Sequence, residues 1–121
     1  NTQVMDYIAD WHTDFVFREK VLTTFIRVRP EYSAIRRQLI DVRINLGLYD
    51  EALELAKETY EKIIGENLNT GYLANCYMKI GNFDEAIKYS KEALKNSVDS
   101  DLAFSVLMDS SLGKKEKESL T

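Results

Sequence analysis

One cysteine, one proline, one histidine and five glycines are spread over 121 residues, and each scarcity excludes something. A lone cysteine, Cys76, permits no intrachain disulfide framework and gives a reducing compartment, the cytoplasm, as the expected location. One proline and five glycines punctuate too rarely for the many turns of an all-β fold, which favours helices before any periodicity is counted. No apolar run approaches the roughly 20 residues of a membrane-spanning helix. The opening NTQVMDY lacks the charged-then-apolar pattern of a secretory signal, so no membrane association is expected. The chain starts with Asn1, and is expected to be a piece excised from a longer protein.

Chemistry is scarce as well. His12 stands beside Trp11 between Asp10 and Asp14, but a metal site or a general base would need a second histidine or a cysteine nearby, and there is none. His12 is expected to be an ordinary turn or helix-end residue. Cys76 beside Tyr77 reads as a small buried hydrophobe, since no base accompanies it. There is no glycine-rich phosphate loop, no HExxH and no calcium-loop pattern. Neither catalytic residues nor metal ligands nor a cofactor are expected, and the chain reads as a non-enzyme.

What is present is a repeated word. GLYDEALELAKE begins at residue 47 and GNFDEAIKYSKE at residue 81, and they align without a gap at an interval of 34. The correspondence takes in Leu39 with Leu73, Tyr49 with Phe83, Ala52 with Ala86 and Leu53 with Ile87. An interval of this size is the mark of an array in which each helical pair cannot bury its apolar face alone and stacks on its neighbour. With 45% hydrophobic and 30% charged residues, the chain can fill one modest core.

Each unit can be derived locally. After Pro30, residues Tyr32, Ile35, Leu39, Val42 and Leu46 fall at alternating three- and four-residue steps, one stripe of a helix. Gly47 should close that helix in the left-handed conformation, and Gly81 should close its counterpart. Asp50 and Glu51, like Asp84 and Glu85, then place negative charge in the first turn of a new helix. Ala52 and Ala86 are expected where two antiparallel helices leave little room. The expected fold is all-α, an array of about six or seven helices built from αα-hairpins.

At these positions the sequence resembles the tetratricopeptide repeat (TPR) family. Residues 67–100 match through Leu73, Ala74, Tyr77, Gly81, Phe83, Ala86 and Ala93, with Ser90 where a large aromatic is usual and Val98 in place of the closing proline. Residues 33–66 match through Leu39, Gly47, Tyr49 and Ala52, and depart at Arg36, Arg43 and Thr59. Residues 1–32 would be a degenerate first unit, VMDYIADW its first helix and TDFVFREKVLTTFIRVRP its second, with Arg18 at the place of a small alanine. Residues 101–113 would be a capping helix or partial unit, and 114–121 a frayed polar tail. The resemblance implies hairpins stacked as a right-handed superhelix whose inner groove holds a peptide or partner segment.

Carried over by position, the groove candidates are Ala34, Arg37, Gln38, Asp41 and Asn45 in one unit, and Leu68, Tyr72, Asn75, Met78 and Lys79 in the next. Asp41 and Gly71 stand where carboxylate-clamp members of the family place asparagine and lysine, so binding of chaperone tails is not implied. Tyr72, Asn75 and Lys79 recur at helical steps and, with Arg37, would favour an acidic ligand. The implied function is a protein-interaction scaffold; the alternative is the ligand-sensing part of a larger regulator, such as a peptide-responsive transcription factor.

Charge is distributed unevenly. Residues 18–43 hold seven basic side chains against three acidic ones, while the net charge of the chain is −4. Arg29, Arg36 and Arg43 recur every seven residues. A basic strip could meet acidic peptide or nucleic acid, but no aromatic residues interleave as a stacking platform needs, and intramolecular pairing is favoured. Nucleic acid is therefore not expected as a partner. The last helix carries Leu102, Phe104, Val106, Leu107 and Met108, so self-association through it is expected unless the polar stripe of Asp101, Ser105 and Asp109 suffices as a cap.

Overall fold

The structure is a computed structural model that describes residues 2–96 and 100–120, with side chains from residue 13 onward. Among the described residues it consists of six helices and no strands: α1 (Thr2–Val28), α2 (Ser33–Asn45), α3 (Tyr49–Lys62), α4 (Asn67–Lys79), α5 (Phe83–Asn96) and α6 (Asp101–Ser119). The all-α expectation holds. The starts of α2, α4 and α6 fall at 33, 67 and 101, and those of α3 and α5 at 49 and 83, so the boundaries keep the interval of 34 seen in the sequence.

The repeated glycines act as expected. Gly47 and Gly81 have φ of 78° and 82°. At the first turn Gly47 N–H bonds the carbonyl of Ile44 and Leu48 N–H that of Arg43; at the second, Gly81 and Asn82 do the same to Met78 and Tyr77. This doubled bond satisfies carbonyls that would otherwise end the helix unpaired, and it requires the left-handed residue that glycine supplies without a Cβ clash. Each helix packs on the next along the chain; α4 also packs on α6, and α2 touches α4. Ala52, Ala86, Ala74 and Ala93 are fully buried, the small side chains that let the helices approach. Around them Leu39, Ile40, Leu55, Leu73 and Cys76 form the main core. A tyrosine stack ties three helices: Tyr89 of α5 lies parallel to Tyr77 of α4, with centroids 5.7 Å apart, and edge-on to Tyr60 of α3 at 5.3 Å. Ser90, at the place of the expected large aromatic, is fully buried and donates to the carbonyl of Ile87, while Tyr89 beside it supplies the ring.

Both ends differ from expectation. The two helices expected in residues 1–32 are one unbroken helix, α1, since nothing between Trp11 and Asp14 stops it: glycine and proline are both absent there. His12 thus lies within a helix rather than at a turn, and its side chain lies outside the described residues. Val98 also lies outside them. At the other end the polar tail is helical to Ser119. Gly113 does not break it. A Cβ at Gly113 would stand 2.6 Å from the Phe83 ring, so this glycine is where α6 crosses the start of α5. One residue on, the Lys114 ammonium lies 2.8 Å from the Asp84 carboxylate, which draws the carboxyl below and the ammonium above its ordinary pKa. No described helix is long and apolar enough to cross a membrane.

Candidate functional site

The expected groove residues lie on α2 and α4, and the structure joins several of them to one another. Arg37 Nη1 donates to Asn69 Oδ1 at 2.7 Å, and Tyr72 O–H donates to Asp41 Oδ2 at 3.1 Å. At the same seam the Ser33 hydroxyl donates to Glu66, and the fully buried Asn69 donates its amide to Glu66 at 3.2 Å. Ser33, Arg37 and Asp41 stand four residues apart, one per turn on a single face of α2. They are three rungs between α2 and α4. Sequence reasoning missed Ser33, Glu66 and Asn69; the signal available was the four-residue spacing on α2 opposite the three-residue spacing of Glu66, Asn69 and Tyr72.

The titration shifts follow from this seam. Partial burial between the helices raises the Asp41 carboxyl above its ordinary 3.8, and the Tyr72 hydrogen bond offsets part of that. The Tyr72 phenol is raised in turn, by burial first and then by the Asp41 charge. Burial pushes the Cys76 thiol up to about 12, so it is protonated and inert at neutral pH.

The remaining candidates are dispersed. Asn45 folds back on its own helix, donating to the Asp41 carbonyl at 2.8 Å. Met78 packs against the Ala74 and Ala86 crossing rather than facing solvent. Ala34, Leu68 and Lys79 are exposed, and Asn75 is half-buried. Gln38 and Asp41 form the polar edge of an open cleft of about 490 Å³ between α1 and α2. Phe15, Phe17, Val21 and Leu22 of α1 and Val42 of α2 make its apolar wall. Arg37 is engaged by Asn69, and the charged side chains lining the cleft are Asp41 and Arg18, the latter paired with Asp14. A larger hollow of about 690 Å³ under the α3–α4 turn is lined as far as Asn96, where the described chain is interrupted.

The arginine-rich stretch is spent largely within the molecule. Arg36 is 2% exposed. Its Nε donates to the Pro30 carbonyl at 2.6 Å, and its Nη1 lies 3.4 Å from Thr59 Oγ1 and 3.6 Å from Glu58. Two of the three departures of residues 33–66 from the family pattern, Arg36 and Thr59, are thus partners. Arg43 reaches Glu19 of α1 at 3.3 Å and the Glu51 carbonyl at 3.3 Å. Arg29 pairs with Glu31, and Arg18 with Asp14. Groups of three or more histidine, cysteine or carboxylate side chains placed to hold a metal ion do not occur among the described residues. A scan against protein-family models gives no match, and neither does a search of curated proteins.

Proposed function

We propose that this chain is a TPR-like interaction module, a non-enzymatic scaffold that takes a segment of a partner protein against the side formed by α1, α2 and α4. Support for the repeat comes from the helix boundaries, which recur at 34 residues together with both glycine-closed turns. The observation that carries the binding reading is the open α1–α2 cleft, apolar on its walls and edged by Arg18, Gln38 and Asp41. Such a surface suits a segment that inserts apolar side chains and presents a hydrogen-bond donor or a cation to Asp41. The ties between α2 and α4 hold this side rigid, so binding loses little to ordering. Asn75, with an amide that both donates and accepts, extends the surface along α4.

Peptides selected from a displayed library on the intact chain provide the test. Asn75→Ala should weaken the selected peptides by roughly 1 to 3 kcal/mol through lost hydrogen bonds, with the melting temperature nearly unchanged. A variant that melts early yet binds normally per folded molecule would make Asn75 structural. Failure to select any peptide would remove the reading itself.

A further inference from the structure

Helix ends recur like the starts: α1, α3 and α5 stop at 28, 62 and 96. The tyrosine stack that joins α3, α4 and α5 is therefore a feature of one unit that can be compared with the same place in the unit before it. There the Tyr60 hydroxyl also donates to Glu92 Oε2 at 2.8 Å. Shifted back by 34, the places of Tyr60, Tyr77 and Tyr89 are held by Ile26 of α1, Arg43 of α2 and Leu55 of α3, and that of Glu92 by Glu58. Two rings have become shorter aliphatic side chains and the third a guanidinium. The space they leave is not refilled. An open hollow of about 250 Å³ lies between α1 and α3, and Ile26, Arg43, Leu55 and Glu58 all line it, with the buried Leu39 of α2 beneath. Thr23 and Glu54 complete its sides, at the places of Lys57 and Lys88, the two lysines that lie over the Tyr77 and Tyr89 rings.

We propose that this hollow is a binding site for a free phenol, a single ring bearing a hydroxyl, which takes the place that tyrosine rings fill in the next unit. The inference goes beyond the partner-segment reading and does not involve the α1–α2 cleft; it rests on the interval of 34 and on the hollow itself. Size, walls and acceptor agree on the chemistry. A cavity of about 150 Å³ is enough for benzene, so one of about 250 Å³ holds a single substituted ring. Ile26, Leu39 and Leu55 offer the ring apolar contact. Arg43 is held in the wall by Glu19 and by the Glu51 carbonyl, each at 3.3 Å. A guanidinium fixed in this way takes an aromatic ring against its face, much as Tyr77 lies parallel to Tyr89. The hydroxyl is met by Glu58. Its ion pairs with Lys62 and Arg36 both use Oε1, which leaves Oε2 to accept, as Glu92 Oε2 accepts from Tyr60. A carboxylate acceptor at the edge of an apolar hollow favours a phenol over a plain hydrocarbon ring.

Nuclear magnetic resonance titration of the intact chain with p-cresol, the tyrosine side chain as a free molecule, tests this. Saturable shifts should gather on Ile26, Leu39 and Leu55, and toluene, which lacks the hydroxyl, should bind about tenfold more weakly. Ile26→Tyr writes the next unit's ring into the hollow; it should abolish p-cresol binding while the chain melts no earlier. Ile26→Phe takes its part if circular dichroism shows that the tyrosine variant does not fold. The proposal is overturned if p-cresol gives no saturable shift at millimolar concentration, if toluene binds as well, or if binding survives the filled hollow. A tripeptide with tyrosine between two glycines that binds more tightly than p-cresol would make the occupant a partner's side chain and overturn the free ligand. Shifts that gather on Val21 and Asp41 instead would put the ring in the α1–α2 cleft, sinking this site and leaving the scaffold reading standing. Binding of p-cresol at Ile26 by a chain that selects no peptide would do the reverse.

Discussion

Residues 33–62 and 67–96 share helix lengths and closing turns but fill the frame differently. Where the first has Arg36 facing Thr59, the second has Thr70 and Ala93. Where the first has Ile40 and Ala52, the second has Ala74 and Ala86. The restart differs too. The Asn82 side chain accepts from the Glu85 N–H ahead of α5, whereas Leu48 ahead of α3 offers no side-chain cap. The left-handed glycines and the buried alanines set the frame, while the residues around them differ in size: Arg36 and Thr59 give way to the smaller Thr70 and Ala93, and Ile40 to Ala74.

That comparison can be broken most sharply at the second crossing. Ala86→Leu should cost about 3 kcal/mol by overpacking, while Lys88→Leu, two residues along on the exposed side, should stay within about 0.5 kcal/mol. Thermal melts showing equal losses would mean that Ala86 does not set the helix separation. In the first unit the buried pair is the lever. Arg36→Ala should cost about 2 kcal/mol, because the Pro30 carbonyl loses a charged donor and the site is left hollow. Writing the second unit's residues into the first, Arg36→Thr with Thr59→Ala, should cost less than the sum of the two single changes. Strict additivity in a double-mutant cycle would show the two residues to be independent.

The smallest effect concerns Asp41. Its raised pKa means that the folded chain keeps the proton longer than the unfolded one. The associated stability is complete below the ordinary 3.8 and is lost as pH rises through the folded value. Asp41→Asn keeps an oxygen for Tyr72 and removes the charge. Discounted for solvent screening, the gain at neutral pH should be a few tenths of a kcal/mol, and the difference from the parent chain should vanish in acid. Denaturant titrations at two pH values suffice; a loss at neutral pH would show that the carboxylate is favoured where it stands.

Much of the frame was legible because it depends on local rules. Gly47 and Gly81 announce their turns, and Ala52 and Ala86 their crossing, through conformation and size alone. The site was less legible. Arg37, Asp41 and Tyr72 lie on α2 and α4, but a sequence does not show that a polar side chain already has an internal partner. Arg36 looked like a misfit for the same reason, since Thr59 and the Pro30 carbonyl come to it only on folding. The tail misled through composition: KKEKES reads as frayed, and what holds it is a ring 30 residues earlier in the chain, Phe83 over Gly113.

That glycine also gives the row a direction. Among the described residues α1 packs chiefly on α2, whereas α6 rests on both α4 and α5 and is fastened at Gly113 and Lys114 to the start of α5. In a row where each member is held only by its neighbours, opening begins at the end with the fewest attachments. Amide hydrogens of α1 should therefore exchange before those of α6, so that the chain unzips from its first helix toward its last.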